Sequence, residues 1–289
     1  MSSTPSTAGA TPAEIEAYLD QFNFTGGNPT SKDLAPSIIF SVIYCILLAV
    51  ITWRWAAPTT RTRLLIRPTI FIVIRIASWV LRAVMSKTQY GTGELIAELV
   101  FISIGFLFII SPVIDMWRRH VLSAVAKNER PQWLLRLTNL SQITLIAAII
   151  TATIGGSLVG TSVKTETITG LRKASYVLSL AVVVLALIGI MRTHRKFHLE
   201  KRGTYLLIAI SMFCMVCGVY RVVQIFTTDP KDPVRNYITF YILQGAMEVC
   251  ATIPMLAINI NEWFPGEQGA AVRSHDSESG YPMTEHQHK

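Results

Sequence analysis

Arg75 and Arg82 stand seven residues apart in one apolar run, and Glu94, Glu98, Arg221 and Glu248 stand in three others. An ionised group at bilayer depth costs at least about 2.5–3.5 kcal/mol on insertion scales, so each needs an opposite charge, water or a ligand. A spacing of seven puts Arg75 and Arg82 on one helix face, two turns apart. The candidate pairs are Arg75 with Glu248, and Arg82 or Arg221 with Glu98. Gln224 and Gln244 add neutral hydrogen-bonding groups. The candidate polar cluster is thus Arg75, Arg82, Glu98, Arg221, Gln224, Gln244 and Glu248. Guanidinium forks to two oxygens at once, so the set suits a phosphate or carboxylate headgroup. The bland alternative is a set of ion pairs that only fixes helix register.

Other chemistries lack their residues. His120, His194, His198, His275, His286 and His288 all fall outside the predicted spans, so a haem-bridging bundle is not expected. The last span has no Lys for a Schiff base, and no glycine-rich phosphate loop with Lys occurs. Cys214-Met-Val-Cys217 has the spacing of a metal or redox pair, but it lies inside a span with no second pair and reads as packing. No catalytic residue, metal or cofactor is assigned.

The elements that position these groups are seven apolar stretches, near residues 35–55, 66–86, 93–117, 134–159, 171–192, 203–226 and 236–260. Each supplies the roughly 20 residues that cross a hydrocarbon core of about 30 Å. Hydrophobic residues make up 51% of the chain and charged ones 15%, against about 25% charged in soluble domains. Fourteen basic residues fall in the odd-numbered gaps and six in the even-numbered ones. The positive-inside rule then predicts an all-α, polytopic seven-helix bundle with its N-terminus outside and its C-terminus cytosolic. Such basic loops meet anionic headgroups, which accounts for the net charge of +8 without nucleic acid. At about 1.5 Å per residue, Arg82, Glu98, Arg221, Gln224 and Gln244 fall in the outer third, and Arg75 and Glu248 near the midplane. Asp115 is expected to pair with Arg118 and Arg119 at the cytosolic interface.

Flanking segments are polar. Residues 1–34 form an external tail, mostly disordered, with a capping box at Thr11-Pro12-Ala13-Glu14 and an amphipathic pattern that allows a short helix over 12–24. Asn23-Phe24-Thr25 is a glycosylation acceptor sequence on the predicted outer side. Residues 35–260 form the membrane domain, and 261–289 a disordered cytosolic tail rich in Ser, Glu, Gln and His.

Several short motifs carry a resemblance. They are Ile74-Arg75-Ile76-Ala77, Ser111-Pro112 running into Trp117-Arg118-Arg119, Gly155-Gly156, and Tyr220-Arg221 with Gln224. Tyr241, Pro254-Met255 and Phe264-Pro265-Gly266 complete the set. In these the chain resembles the fungal seven-helix lipid-translocating exporter family, whose founding member confers resistance to aminocholesterol, as a divergent member or a neighbouring fungal seven-helix family. The chain departs from it at Gln224, where that family usually carries Glu, and at Gln244 and Ala251, near which it carries an acid.

The resemblance implies lipid transport or stress resistance in the plasma membrane or an endomembrane. With the cluster, it leads to the expectation of a protein that handles membrane lipids or an amphipathic small molecule through a polar cavity in the outer leaflet. One alternative is a seven-helix receptor or sensor without enzymatic activity. The other is a small intramembrane enzyme such as a terpene cyclase, with Glu98 and Glu248 as acid and base.

Overall fold

The computed structural model describes residues 26–125, 132–159, 163–227, 229 and 232–266. The pattern over 12–24, the acceptor Asn23 and the tail beyond 266 lie outside the described residues.

Among the described residues there is no strand, and seven helices are long and apolar enough to cross a membrane, the architecture of an integral membrane protein. They are α1 (Leu34–Ala56), α2 (Ile66–Met85), α3 (Thr92–Ala124), α4 (Gln132–Ser157), α5 (Thr165–Phe197), α6 (Lys201–Phe226) and α7 (Tyr237–Ala257). A short turn, α8 (Ile260–Trp263), follows. In hydrocarbon each backbone N–H and C=O must be paired within its own segment, and a helix does this.

Packing follows chain order. Each helix lies against the next, α1 returns to touch α7, and α3 also touches α5, α6 and α7. α3 is therefore the central strut, with 72% of its most apolar stretch buried against 22% for α1. α1 shows Ile38, Ile39, Val42 and Ile46 on its outer face, and α4 shows Leu140, Ile143, Ile146 and Ile150. These three- and four-residue steps form an apolar stripe turned to lipid.

α2 shows the inverse. Its buried stripe is Phe71, Ile72, Arg75, Ser78, Trp79 and Arg82, while Ile66, Ile70, Val73, Val80 and Val84 face outward. The polar side of this helix is the inside of the bundle.

Two helices outrun their apolar cores. α3 and α5 each have 33 residues, which is about 50 Å of helix against a hydrocarbon core of about 30 Å. α5 starts six residues before the apolar stretch expected at 171, because Thr165–Gly170 continues the helix and buries Ile168 in an apolar cluster with Met85, Leu95 and Leu99. Glu94, expected at membrane depth, instead sits exposed in the first turn of α3, where its Oε2 accepts from the Gly91 N–H at 3.0 Å.

In α7, Tyr241–Ala246 form a π-helical turn between two α-helical stretches. π-turns are rare and concentrate at functional sites. This one turns Tyr241, Gln244 and Gly245 inward with Glu248.

Candidate functional site

The ionisable groups of the bundle gather in two layers, one near the end where α1 begins and one deeper. The first is built on Arg82. Its Nη1 donates to Glu98 Oε1 at 2.6 Å, its Nε to Asp33 Oδ1 at 3.0 Å and to the Tyr241 hydroxyl at 3.2 Å. Nη2 donates to the carbonyls of Gly26 at 2.7 Å and Gly27 at 3.3 Å. Tyr241 in turn donates to Asp33 Oδ1 at 2.9 Å, and its hydroxyl lies 2.8 Å from Ser37 Oγ. The second Asp33 oxygen accepts from Thr30 N and Oγ1, each at 2.9 Å, closing a capping box ahead of α1.

Aromatic rings pack this layer. Arg82 Cζ lies 5.0 Å from the Phe240 ring, and Trp79 stacks on Phe40 and Tyr241 with centroids 5.0 and 5.4 Å apart. Gly26 adopts φ +91, a conformation open to glycine, and a side chain there would meet the Phe240 ring at 2.8 Å.

The deeper layer is built on Arg75, Arg221 and Glu248. Arg75 Nη2 bonds to Glu248 Oε1 and to the Ile102 carbonyl, the latter at 3.2 Å. Arg221 Nη2 reaches the same Ile102 carbonyl at 2.8 Å. The Arg221 guanidinium also lies between the rings of Tyr176 at 4.6 Å and Phe106 at 5.0 Å. Gly105 makes the approach to the α3 backbone feasible, since a Cβ there would stand 3.0 Å from Arg75 Cζ. Cys217 Sγ completes the near surroundings at 3.8 Å from Glu248 Oε1.

This layer is incompletely satisfied. Among the described residues Glu248 Oε2, Arg75 Nε and Arg221 Nε, and both amide atoms of Gln244 four residues before Glu248 on α7, are buried without a hydrogen-bond partner. Buried polar atoms are nearly always bonded, so a group of orphans in one place marks a site for water, a ligand or an alternative arrangement.

All seven residues predicted for the cluster are buried, and five of them form the two ion-paired layers. Arg82 takes Glu98, Arg75 takes Glu248, and Arg221 bonds to carbonyls rather than to Glu98. Gln224 is buried on α6 and Gln244 on the π-turn.

Among the described residues, these side chains line no open polar cavity of the kind expected from the sequence. Their exposure is at most 4%, because each charge has drawn carboxylates, carbonyls and rings tightly around it. A separate apolar groove of 300 Å³ runs between α6 and α7, walled by Val216, Val219, Tyr220, Val223 and Leu243. Tyr220 presents a buried hydroxyl that has no partner among the described residues.

Four polar residues escape a reading by hydropathy. Asp33 lies in the polar lead-in to α1, where only the Thr30-to-Asp33 capping spacing marks it. Arg54 belongs to a basic gap in the sequence, yet its guanidinium is buried and caps the end of α7 at the carbonyls of Leu256 (3.0 Å) and Met255 (3.4 Å). Arg172, also counted with a gap, is buried two turns into α5. Asp115 pairs with Arg67 at 2.8 Å, not with Arg118 or Arg119, and its other oxygen accepts from Gln142 Nε2 at 3.1 Å. The α3 stretch from Ser111 to Asp115 faces α2 and α4, which brings Arg67 and Gln142 to it.

No protein-family model matches the chain, and no curated protein matches it.

Proposed function

We propose that this integral membrane protein handles a lipid or other amphiphile, whose polar group engages the Arg75–Glu248–Arg221 layer while its chain lies along the α6–α7 groove. One observation carries the reading. The wall residues Tyr220 and Leu243 immediately precede the cluster residues Arg221 and Gln244, so an apolar channel and a polar centre with unpaired atoms share the same two helices. An amphiphile needs this combination of an apolar wall and a few convergent polar groups. The closed cluster is then the resting state, and ligand oxygens exchange with Glu248 at the two arginines.

The asymmetry of basic residues supports an external N-terminus and a cytosolic C-terminus. The short motifs that resemble those of the lipid-translocating exporter family support the same substrate class and, with it, a plasma-membrane setting.

Native mass spectrometry of the purified protein, followed by lipid release, tests the reading. The expected result is a retained amphiphile that is lost in Val219→Trp, which fills the groove, at unchanged membrane abundance. Absence of any bound amphiphile, with identical movement of fluorescent lipid in protein-containing and empty vesicles, would overturn it. Orientation is checked separately: a C-terminal tag on intact cells is expected to resist added protease until the membrane is permeabilised.

A further inference from the structure

At the opposite end of the bundle, three segments far apart in sequence enclose a second cavity. The link from α1 to α2 brings Arg61 and Arg63, the end of α3 brings Arg118 and Arg119, and the stretch after α7 brings Asn261 and Gly266. Its volume is 890 Å³, within the roughly 300–1,000 Å³ of small-molecule sites.

The cavity is electrically one-sided. Four guanidiniums line it against one carboxylate, Asp115, and that carboxylate is engaged by Arg67 and Gln142. Among the described residues none of the four guanidiniums forms an ion pair. The link is held rather than loose. Asn261 Nδ2 donates to the Arg61 carbonyl at 3.2 Å, and the Arg61 guanidinium lies 5.9 Å over the Trp55 ring. Thr62 and Leu64 at the same wall begin the helical run that becomes α2, and that start carries no side-chain cap. Its first backbone N–H groups add positive potential of the same sign.

All four cations are arginines. Lysine would supply point charges, whereas arginine supplies planar forks that match phosphate oxygens two at a time. The cavity also lies just past Ala56, where α1 ends, which is headgroup level for a spanning helix. We propose that this cavity binds a multiply phosphorylated polyol, presented as the headgroup of an anionic lipid or as the free phosphate. An acidic peptide is the poorer fit, because each carboxylate carries one charge where a phosphate monoester carries nearly two.

The test uses the full-length protein in phosphatidylcholine nanodiscs. Inositol hexakisphosphate is titrated calorimetrically, and phosphatidylinositol bisphosphate is added to the nanodisc and scored by native mass spectrometry. Each double variant, Arg118→Gln with Arg119→Gln and Arg61→Gln with Arg63→Gln, is expected to weaken binding at least about tenfold. Binding is also expected to fall steeply with salt. Arg192→Gln with Arg195→Gln, on α5, serves as the charge-matched control and is expected to bind as the parent does.

Binding of the lipid alone identifies the headgroup as the source, and binding of the soluble probe alone identifies the free phosphate. Unchanged thermal unfolding in each variant separates lost binding from lost fold. No binding of either probe by the parent protein overturns the proposal, as does equal weakening in the control. Displacement of both probes by a peptide of residues 267–289 also overturns it, in favour of the chain's own tail.

Discussion

The Arg82 layer and the Arg75–Arg221 layer are made of the same residue types a few turns apart, yet they solve the problem of buried charge differently. Arg82 faces two carboxylates, two carbonyls and a phenol, and every guanidinium nitrogen has a partner. Arg75 holds the layer's one carboxylate and the carbonyls of Phe101 and Ile102, Arg221 holds only the carbonyls of Ile102 and Ser103, and among the described residues each leaves its Nε unbonded. Formal charge follows suit. The first layer holds one cation among two anions, and the second holds two cations about one anion. A fully bonded cation surrounded by excess negative charge is a fastening. A pair of under-bonded cations about a single anion is a place that gains by taking another anion.

That contrast can be broken experimentally, and the largest effect belongs to the fastening. Arg82→Ala strands Asp33 and Glu98 without their cation, so a loss of about 3–5 kcal/mol is expected, read as a lowered unfolding temperature in detergent. Next comes Gly105→Ala. Its Cβ would press on the Arg75 guanidinium at 3.0 Å, and overpacking of this kind costs roughly 1–3 kcal/mol, measured in the same unfolding assay. Glu248→Gln keeps an acceptor for Arg75 but removes the charge. A stability loss of about 1–3 kcal/mol is expected, together with altered amphiphile retention by mass spectrometry. The smallest effect on stability is expected for Gln244→Leu. Neither amide atom is bonded, so the change should be within about 1 kcal/mol of neutral or stabilising, while amphiphile retention falls. If Gln244→Leu instead destabilises as strongly as Arg82→Ala, the two layers are equivalent and the contrast is wrong.

Much of this is legible in the sequence. Seven apolar runs define seven helices because nothing else satisfies a backbone in hydrocarbon. Arg75 and Glu248 are obvious partners because opposite charges at one depth of a single bundle have few alternatives. The illegible parts have particular causes. Asp33 and the carbonyls of Gly26 and Gly27 come from a polar segment, where hydropathy carries no signal and a fold back into the bundle mouth depends on tertiary contacts. Arg54 and Arg172 look like loop cations because a window average assigns depth to a Cα. A long side chain can carry its charge elsewhere, as Arg54 does to the end of α7. The π-turn at Tyr241–Ala246 leaves no trace in periodicity, since it shifts one turn only, yet it sets which face of Gln244 is inside. The closure of the cluster was equally hidden, because composition reports which charges are present and not how tightly they are packed.

The bonds from Gly26 and Gly27 to Arg82 bear on the order of assembly. These glycines leave the ribosome before α1, while Arg82 arrives only with α2. The mouth of the bundle therefore closes only once α2 is made, and until then Asp33 and the two carbonyls stand without their cation. A chain begun at Leu34 would keep all seven crossings but forfeit Asp33 and both carbonyls, so expression trials that trim this leader should yield inserted yet fragile protein.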